Sequence, residues 1–451
     1  MIRRGANREQ RSWFYYDWAN SAYITTVATV LYAPYLTSVA ERAACGFVGD
    51  EDRKCTEHLS VLGLSVSAGS LVFYVVTVAT VISAFVLPVV GAVADRVQSR
   101  RTLMARLAWT GAGVTALMFF VTGTSWQLGA ALLVVANLFY ASSIVVYDAI
   151  LIDVAGPDDR DRISSQGWAF GYLGGGTLLA LNLVLVTVTP FGLSTSMAVR
   201  ISLVSAAFWW AYFTIVAYRG LHDHPPRGVA PTDRVGLMQR SFGQLFRTLR
   251  ELRNYPQTLI FLAAYLIYND GIQTVIYSAS VYGDKELGFG TSTLIAAILL
   301  VQFVAFAGAL VFGRVAASVG AHRTIGGGLV VWIVVVCFGF VIPERQIVPF
   351  LVLAVAIGIV LGGTQALSRS FYSQLIPRGR EAEYFSLYQA CERGTSWLGT
   401  LVFGIVHQTT DSYRPAILAL LVFFVVGGAI LWRLDARQGI VEAGNEVPTV
   451  L

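Results

Sequence analysis

Long runs of apolar residues recur along this chain, and they constrain its fold more than any other feature. A helix that crosses a bilayer needs about 20 mostly apolar residues. Only 13% of the 451 residues are charged, against roughly a quarter in an ordinary soluble domain. We therefore predict an all-α integral membrane protein with twelve transmembrane helices. The predicted spans are 12–40, 66–93, 103–122, 127–154, 162–189, 197–219, 257–283, 291–317, 323–342, 347–374, 383–408 and 412–434.

The distribution of basic residues predicts the orientation of these spans. Membrane proteins keep an excess of Lys and Arg in their cytosolic loops. If the N-terminus is cytosolic, most of the 32 Lys and Arg residues fall in inner loops and tails. We therefore predict that both termini are cytosolic.

The second part of the chain repeats features of the first. Residues 91–102, after the second predicted span, match residues 313–324, after the eighth, at a constant offset. Such a repeat implies two related six-helix halves with a site between them. We predict an N-terminal half over 1–220, a cytosolic linker over 221–255, and a C-terminal half with a short cytosolic tail over 256–451.

Two cysteines lie close together in the first outer loop. Cys45 and Cys55 share one polar segment, and an extracytoplasmic location would allow them to form a disulfide. His58 is the only further candidate metal ligand nearby, so we expect no metal site.

The loop at residues 91–101 resembles the loop signature of the major facilitator superfamily. A carboxylate lies within a basic run there, and such a cluster can gate the cytosolic side. The alternative is a basic loop that only sets topology. The second copy has Ala317 at the acidic position, so we expect it to serve packing alone. The predicted gating residues of the loop are Asp95, Arg96, Arg100 and Arg101.

Polar side chains inside the predicted spans are the main candidates for a transport site, because an ionised group in lipid is costly. Most fall on the first, fourth, seventh and tenth spans, which line the cavity in the major facilitator superfamily. Four of the polar residues, Asp17, Asp148, Asp153 and Arg369, lie toward the cytosolic third, where salt bridges between helices are the alternative to a solute site. For Asp153 and Arg369 we expect gating or such pairing in preference to solute binding. The candidates for contact with the solute or a proton are Asp17, Asn20, Tyr147, Asp148, Trp168, Asn269, Asp270, Gln273, Gln365, Glu392 and Arg393.

The candidates differ in the role that we expect. Burial in lipid disfavours a charged carboxyl, so Asp270, among the deepest, is the candidate for a coupling proton. Arg393 is the candidate partner for an anionic group of the solute or for a carboxylate across the cavity. Glu392 beside it points about 100° away on the helix. Trp168 lies in a glycine-rich span, where helix packing is the simpler interpretation and cavity lining the alternative.

Three segments resemble one family. Residues 16–23 (YDWANSAY) resemble the first-helix signature of the fungal autophagy-related vacuolar amino-acid effluxers and their bacterial relatives. Residues 167–176 (GWAFGYLGGG) are similar to its fifth helix, and residues 365–370 (QALSRS) to its tenth. The resemblance implies the major facilitator fold and secondary active transport, with amino-acid efflux as the leading function. We place the protein in a bacterial inner (plasma) membrane.

The sequence therefore predicts a transporter of a small polar solute, not an enzyme. We expect the solute and the lipid bilayer as partners, a monomer, no nucleic acid, and no cofactor other than a coupling proton. The sequence has no Gly-x-x-x-x-Gly-Lys loop, which argues against an ATP-driven pump. One open alternative is an exporter of a larger amphipathic, drug-, lipid- or sugar-like molecule. The other is a non-transporting membrane receptor or scaffold, which would have no need of polar stripes in both halves.

Overall fold

A computed structural model of the protein describes most of the chain. It covers residues 6–48, 57–61, 63–224, 250–394, 396–410 and 412–451, together with Cys55 and Thr248. The predicted linker over 221–255 lies largely outside these residues. Helices make up nearly all of the described secondary structure, as the apolar runs predict.

The first predicted span is a helix of changing pitch. Asn7 caps the start of α1 (Arg8–Ala22) in a capping box. The chain then continues as a π-helix over Tyr23–Leu31 and as α2 over Tyr32–Cys45. Gly46, with a φ of 77°, ends α2 in the left-handed conformation that glycine adopts without strain. Because π turns occur frequently at functional sites, this helix is a natural place to look for one.

A small hairpin follows α2 in the chain. Strands β1 (His58–Val61) and β2 (Leu64–Ser67) pair antiparallel. The predicted disulfide between Cys45 and Cys55 is present, so the segment that leads into the hairpin is tied to the end of α2.

Five further long helices complete the part of the chain before Gly220. Short 3-10 segments lie next to three of them, at Ala68–Ser70, Met118–Phe120 and Pro190–Gly192. The helices are α3 (Leu71–Ala94), α4 (Arg100–Leu117), α5 (Trp126–Val154), α6 (Arg160–Val188) and α7 (Thr195–Gly220).

A second series of helices forms the part of the chain from Pro256 onward. A 3-10 turn at Leu252–Asn254 precedes it, and a π segment at Tyr282–Glu286 follows its first helix. The helices are α8 (Pro256–Val281), α9 (Thr291–Val319), α10 (Ala321–Val341), α11 (Ile347–Gln374), α12 (Glu381–Gly394), α13 (Ser396–Thr410), α14 (Tyr413–Ala419), α15 (Leu421–Trp432) and α16 (Ala436–Glu442).

Within the described ranges, ten helices are long and apolar enough to cross a membrane. Two of the twelve predicted spans, 12–40 and 383–408, are not among these ten, and in both the structure has shorter helices in succession. The membrane-helical class is confirmed, whereas the count of twelve stays a prediction. The division at 221–255 also stays a prediction; we call the helices before it the N-terminal half and those after it the C-terminal half.

Small residues allow the helices to approach closely. A Cβ atom added to Gly308 of α9 would lie 2.6 Å from the Cα of Ile359 in α11. The glycine-rich stretch of α6 packs on α1, since a Cβ at Gly174 would lie 2.8 Å from the ring of Trp18. Helix packing is thus what these glycines provide, as expected where association depends on close contact and not on the hydrophobic effect.

Both described ends of the chain lie at one face of the helical bundle, which we call the N-terminal face. The Gln10 side chain donates to the carbonyl oxygen of Val154, where α5 ends (3.0 Å). Thr449 N–H donates to the carboxylate of Asp158, in the loop that follows α5 (2.7 Å). The two described ends of the chain therefore lie close to each other at one face of the helical bundle.

Candidate solute site and gate

The two halves are joined at the N-terminal face by a carboxylate that caps a helix of the opposite half. Asp95 follows the last residue of α3, and its two oxygens accept hydrogen bonds from the N–H groups of Ala382 and Glu383, both at 2.9 Å. These groups belong to the first turn of α12, where backbone N–H groups lack partners within the helix. A carboxylate is the favoured partner there, because the helix dipole places positive charge at this end.

Arg100, the first residue of α4, collects three carboxylates around this contact. Its guanidinium lies 2.8 Å from Asp95, 3.0 Å from Asp153 and 2.9 Å from Glu381. All four side chains are at least nine-tenths buried. Since Glu381 belongs to the C-terminal half, Arg100 forms an ion pair across the seam between the halves.

Two carboxyls at this seam, Asp95 and Glu381, have pKa values shifted in opposite directions. Burial raises the pKa of Asp95 to about 7, although Arg100 and the N–H groups of Ala382 and Glu383 act against it. Burial also works to raise the pKa of Glu381, but Arg100 and the N–H of Gly379 outweigh it and hold that pKa below its usual value.

The other predicted gating residues of the loop have different surroundings. Arg101 pairs with Asp223 (2.8 Å) and donates to the carbonyl oxygen of Leu221 (2.7 Å). Both partners directly follow α7, so neither contact reaches the C-terminal half. Arg96 is half-buried beside Asp95. Glu381 was missed in the sequence, where nothing distinguishes it from other acids at the start of a helix.

Arg369 makes a second set of ion pairs between the halves. It lies on α11 of the C-terminal half, 3% exposed, and its guanidinium reaches into the N-terminal half. There it lies 3.1 Å from Asp17 and 3.4 Å from Asp148. It also donates to the hydroxyl (3.0 Å) and the carbonyl oxygen (3.1 Å) of Ser164.

Aromatic rings surround the same guanidinium. Its central carbon lies 4.8 Å from the ring centre of Trp13, 5.5 Å from that of Tyr147 and 5.3 Å from that of Trp168. Rings at such distances attract a cation through their quadrupoles. The Tyr147 hydroxyl also donates to Asp17 (2.6 Å), and the Trp13 and Tyr147 rings stack at 4.4 Å. We call this set the arginine cage: Trp13, Asp17, Tyr147, Asp148, Ser164 and Trp168.

The arginine cage brings together four of the predicted solute-site residues and one predicted gating residue. Asp17, Tyr147, Asp148 and Trp168 meet, and the group that they surround is Arg369. Asn20 does not join them, since its amide donates to the carbonyl oxygen of Tyr16 in its own helix (2.8 Å).

A line of polar side chains continues from the cage into the C-terminal half. The Gln389 amide donates to Asp148 (3.0 Å) and to Glu392 (2.9 Å). The Asn269 amide donates to the carbonyl oxygen of Glu392 (3.2 Å), and Gln365 donates to Asn269 (3.0 Å). Gln389 lies three residues before Glu392, and this helical spacing was its one signal in the sequence.

The remaining candidates lie in the C-terminal half. Asp270 accepts a hydrogen bond from the N–H of Gly399 through one oxygen (2.8 Å). Its other oxygen is buried and has no hydrogen-bond partner among the described residues. Gln273 is half-buried on the same helix. Arg393 lies in α12, and its side chain is not among those that the structure describes.

The helices have the major facilitator fold. They superpose on the human organic anion transporter MFSD10 (TETRAN) with a TM-score of 0.66 at 13% identity, over 94% of this chain and 99% of the other. The transporter FucP, in the outward conformation, gives 0.66 at 11% identity over 95% and 98%. At these identities the likeness concerns the fold alone.

Within this superfamily, the chain belongs to the family described as vacuole effluxer Atg22 like, whose model matches residues 5–159 and 153–444. The uncharacterized MFS-type transporter YxiO of Bacillus subtilis is 27% identical over 94% of each chain. Autophagy-related protein 22-1 of Phaeosphaeria nodorum is 24% identical over 96% of this chain and 91% of its own. The protein is therefore a secondary transporter, and its membrane location follows from the same relatives.

Proposed function

We propose that the protein exports a small polar solute, with amino acids as the leading class, by alternating access. The observation that carries this proposal is the seam at the N-terminal face, where Arg100 and Arg369 form ion pairs from one half to the other. Contacts of this kind can break and re-form as the halves rock, because each is an ion pair between two side chains. The proposed cycle alternates between this closed face and a state in which it is open.

The polar side chains of the arginine cage, and those that continue from it to Gln365, support an amino acid as the solute. Carboxylates at Asp17, Asp148 and Glu392 suit an ammonium group. The amides of Asn269 and Gln365 suit a carboxylate, and Arg393 is proposed to pair with it. Efflux is the direction given by the description of the family model.

We further propose that Asp270 carries a coupling proton. Its second oxygen is buried and has no hydrogen-bond partner among the described residues, so it is the atom that would hold the proton. A proton on Asp270 would then follow the opening and closing of the site.

The orientation and the assembly are part of the same proposal. The excess of Lys and Arg in loops of one side makes the N-terminal face the cytosolic face of a bacterial inner membrane. A single chain carries both halves of the seam, so we propose a monomer. Labelling of an added surface cysteine at Arg219, from one side of sealed vesicles, would test the orientation.

Uptake into proteoliposomes tests the transport proposal. A panel of labelled amino acids is offered with and without an imposed pH gradient, and empty liposomes are the control. We expect accumulation of at least one amino acid above that control. Absence of flux for every amino acid, together with flux of a larger amphipathic solute, would favour the alternative function. Proton coupling that survives Asp270→Asn would remove the proton role of Asp270.

A further inference from the structure

We infer that the arginine cage is a binding site for the cationic group of the solute, an ammonium or guanidinium, which Arg369 occupies while the N-terminal face is closed. This inference rests on the proposed transport function and adds the chemical class that the site selects.

The placement of the cage relative to the seam is the first step. All six cage residues belong to the N-terminal half, on α1, α5 and α6, whereas Arg369 belongs to α11 of the C-terminal half. Any movement that separates the halves at the N-terminal face therefore withdraws the guanidinium from the cage. The rings and carboxylates stay behind as one unit, held together by the Trp13–Tyr147 stack and the Tyr147–Asp17 hydrogen bond.

The charge of the vacated cage is the second step. With Arg369 withdrawn, Asp17 and Asp148 lose the cation that lies 3.1 Å and 3.4 Å from them. A carboxylate in so dry a site is strongly disfavoured without a counter-charge. A cation that enters from the opened face restores the balance.

The shape of the cage defines the cation. Three rings lie within 5.5 Å of the guanidinium carbon, and the faces of aromatic rings attract a cation through their quadrupoles. The two carboxylates and the Ser164 oxygens then provide hydrogen-bond acceptors around the group. A primary ammonium or a guanidinium meets both conditions, whereas a neutral or N-acetylated group lacks the charge.

The same geometry couples binding of the cation in the cage to closure of the N-terminal face. When the halves close again, Arg369 returns to the position that the cation holds, so the two compete for the same acceptors. Return of Arg369 displaces the cation toward the centre of the protein, where Gln389 links Asp148 to Glu392. Glu392 is then the next carboxylate on the path, which gives the export direction a physical basis.

Chemical rescue tests the cage without any transport measurement. Arg369→Ala removes the guanidinium, and methylguanidinium is the probe that replaces it, at constant ionic strength set with NaCl. We expect Arg369→Ala to have a lower Tm than the wild type, and the probe to raise the Tm of that variant by at least about 2 °C while leaving the wild type unchanged.

Two variants control this measurement. Arg414→Ala removes another arginine, one that pairs with Glu286 inside the C-terminal half (3.0 Å), and we expect no rescue there. Asp17→Asn combined with Arg369→Ala removes a cage carboxylate, and we expect the rescue to disappear. Equal rescue in either control, or no rescue of folded Arg369→Ala, would overturn the inference.

A competition experiment tests the cage during transport and does not require Arg369→Ala to fold. In wild-type proteoliposomes, the transported amino acid is challenged with its decarboxylated amine and with its N-acetyl derivative. We expect the amine to inhibit at least about tenfold more strongly. If the N-acetyl derivative competes equally, the cage inference falls and the transport proposal stands. If no solute moves, the transport proposal falls and the rescue experiment decides the inference.

Discussion

Gly91 of α3 lies directly against Ala382 of α12, so that a Cβ atom added to Gly91 would be 2.5 Å from the Ala382 carbonyl oxygen. The neighbouring Asp95 accepts the N–H groups of the same turn. The absence of a side chain at position 91 is therefore what allows the cap across the seam to form. This position belongs to the loop motif that the sequence marked, which gives the motif a physical role in closing the N-terminal face.

Gly91→Ala should open this face. The added methyl group collides with backbone atoms that cannot move aside as a flexible side chain would, so we expect the closed state to lose about 1–3 kcal/mol. Spin labels at Arg219→Cys and Arg433→Cys, at the exposed ends of α7 and α15, report the separation of the halves in a background without Cys337 and Cys391. The distance distribution should shift to longer values.

The matched control is Gly113→Ala. Gly113 is an exposed helical glycine with no atom within 4 Å of an added Cβ. Alanine there should stabilise α4 by about 0.5–1 kcal/mol and leave the label distances unchanged. Similar label distances for Gly91→Ala and the parent would show that the Gly91 contact does not hold the face closed.

Acid should favour the closed face between about pH 7 and pH 5. Asp95 has a pKa of about 7 in the closed state, and opening to water should return that pKa to about 4. The closed state therefore binds a proton that the open state releases, and this stabilisation is present at low pH and lost as the pH rises through 7. The lowered pKa of Glu381 acts the opposite way, but only once the pH falls to about 4.

The same pair of labels measures this effect. The closed fraction should increase from pH 8 to pH 5, by at most about 1.4 kcal/mol for each pH unit. Asp95→Asn keeps an acceptor oxygen but cannot titrate, so its closed fraction should change little over this range. A pH response that is the same in Asp95→Asn would assign the titration to another group.

The sequence was sufficient for the helices and for the choice of polar candidates. Residues 347–374 were predicted as a span and form α11, because a long apolar run in a chain with few charges leaves little choice. Asp17 and Asp148 were selected because ionised groups in a span are costly and therefore have a purpose. That rule acts on each residue separately, so it needs no knowledge of contacts.

The partners of these residues could not be obtained in this way. Arg369 was assigned to gating and Asp17 to the solute, yet the structure places them 3.1 Å apart. Their contact joins the first helix to the tenth predicted span, and only the packing of the two halves creates it. The π-helix at Tyr23–Leu31 was also missed, because no proline or glycine within it marks a change of pitch.

Tyr147→Phe should weaken the arginine cage without removing its rings. The Tyr147 hydroxyl donates to Asp17 at 2.6 Å, and a hydrogen bond to a charged group contributes about 1.5–3 kcal/mol. We expect the free energy of unfolding in mixed micelles to fall by about that amount. Tyr212→Phe, at a half-exposed position on α7, should change it by less than about 0.5 kcal/mol. Equal losses in the two variants would mean that the hydroxyl of Tyr147 is not specifically required.

The Cys45–Cys55 disulfide should stabilise the connection between α2 and the hairpin that follows it. The two residues are ten positions apart, and closing a loop of about this length stabilises a protein by about 2–3 kcal/mol. Thiol titration of the denatured, unreduced protein should find two of the four cysteines reactive, Cys337 and Cys391. Cys45→Ser with Cys55→Ser should lower the Tm, whereas Cys337→Ser, at an exposed site, should not. Four reactive thiols in protein prepared from the native membrane would contradict the pairing, and they would also count against an outer location for this loop, since disulfides persist in oxidising compartments.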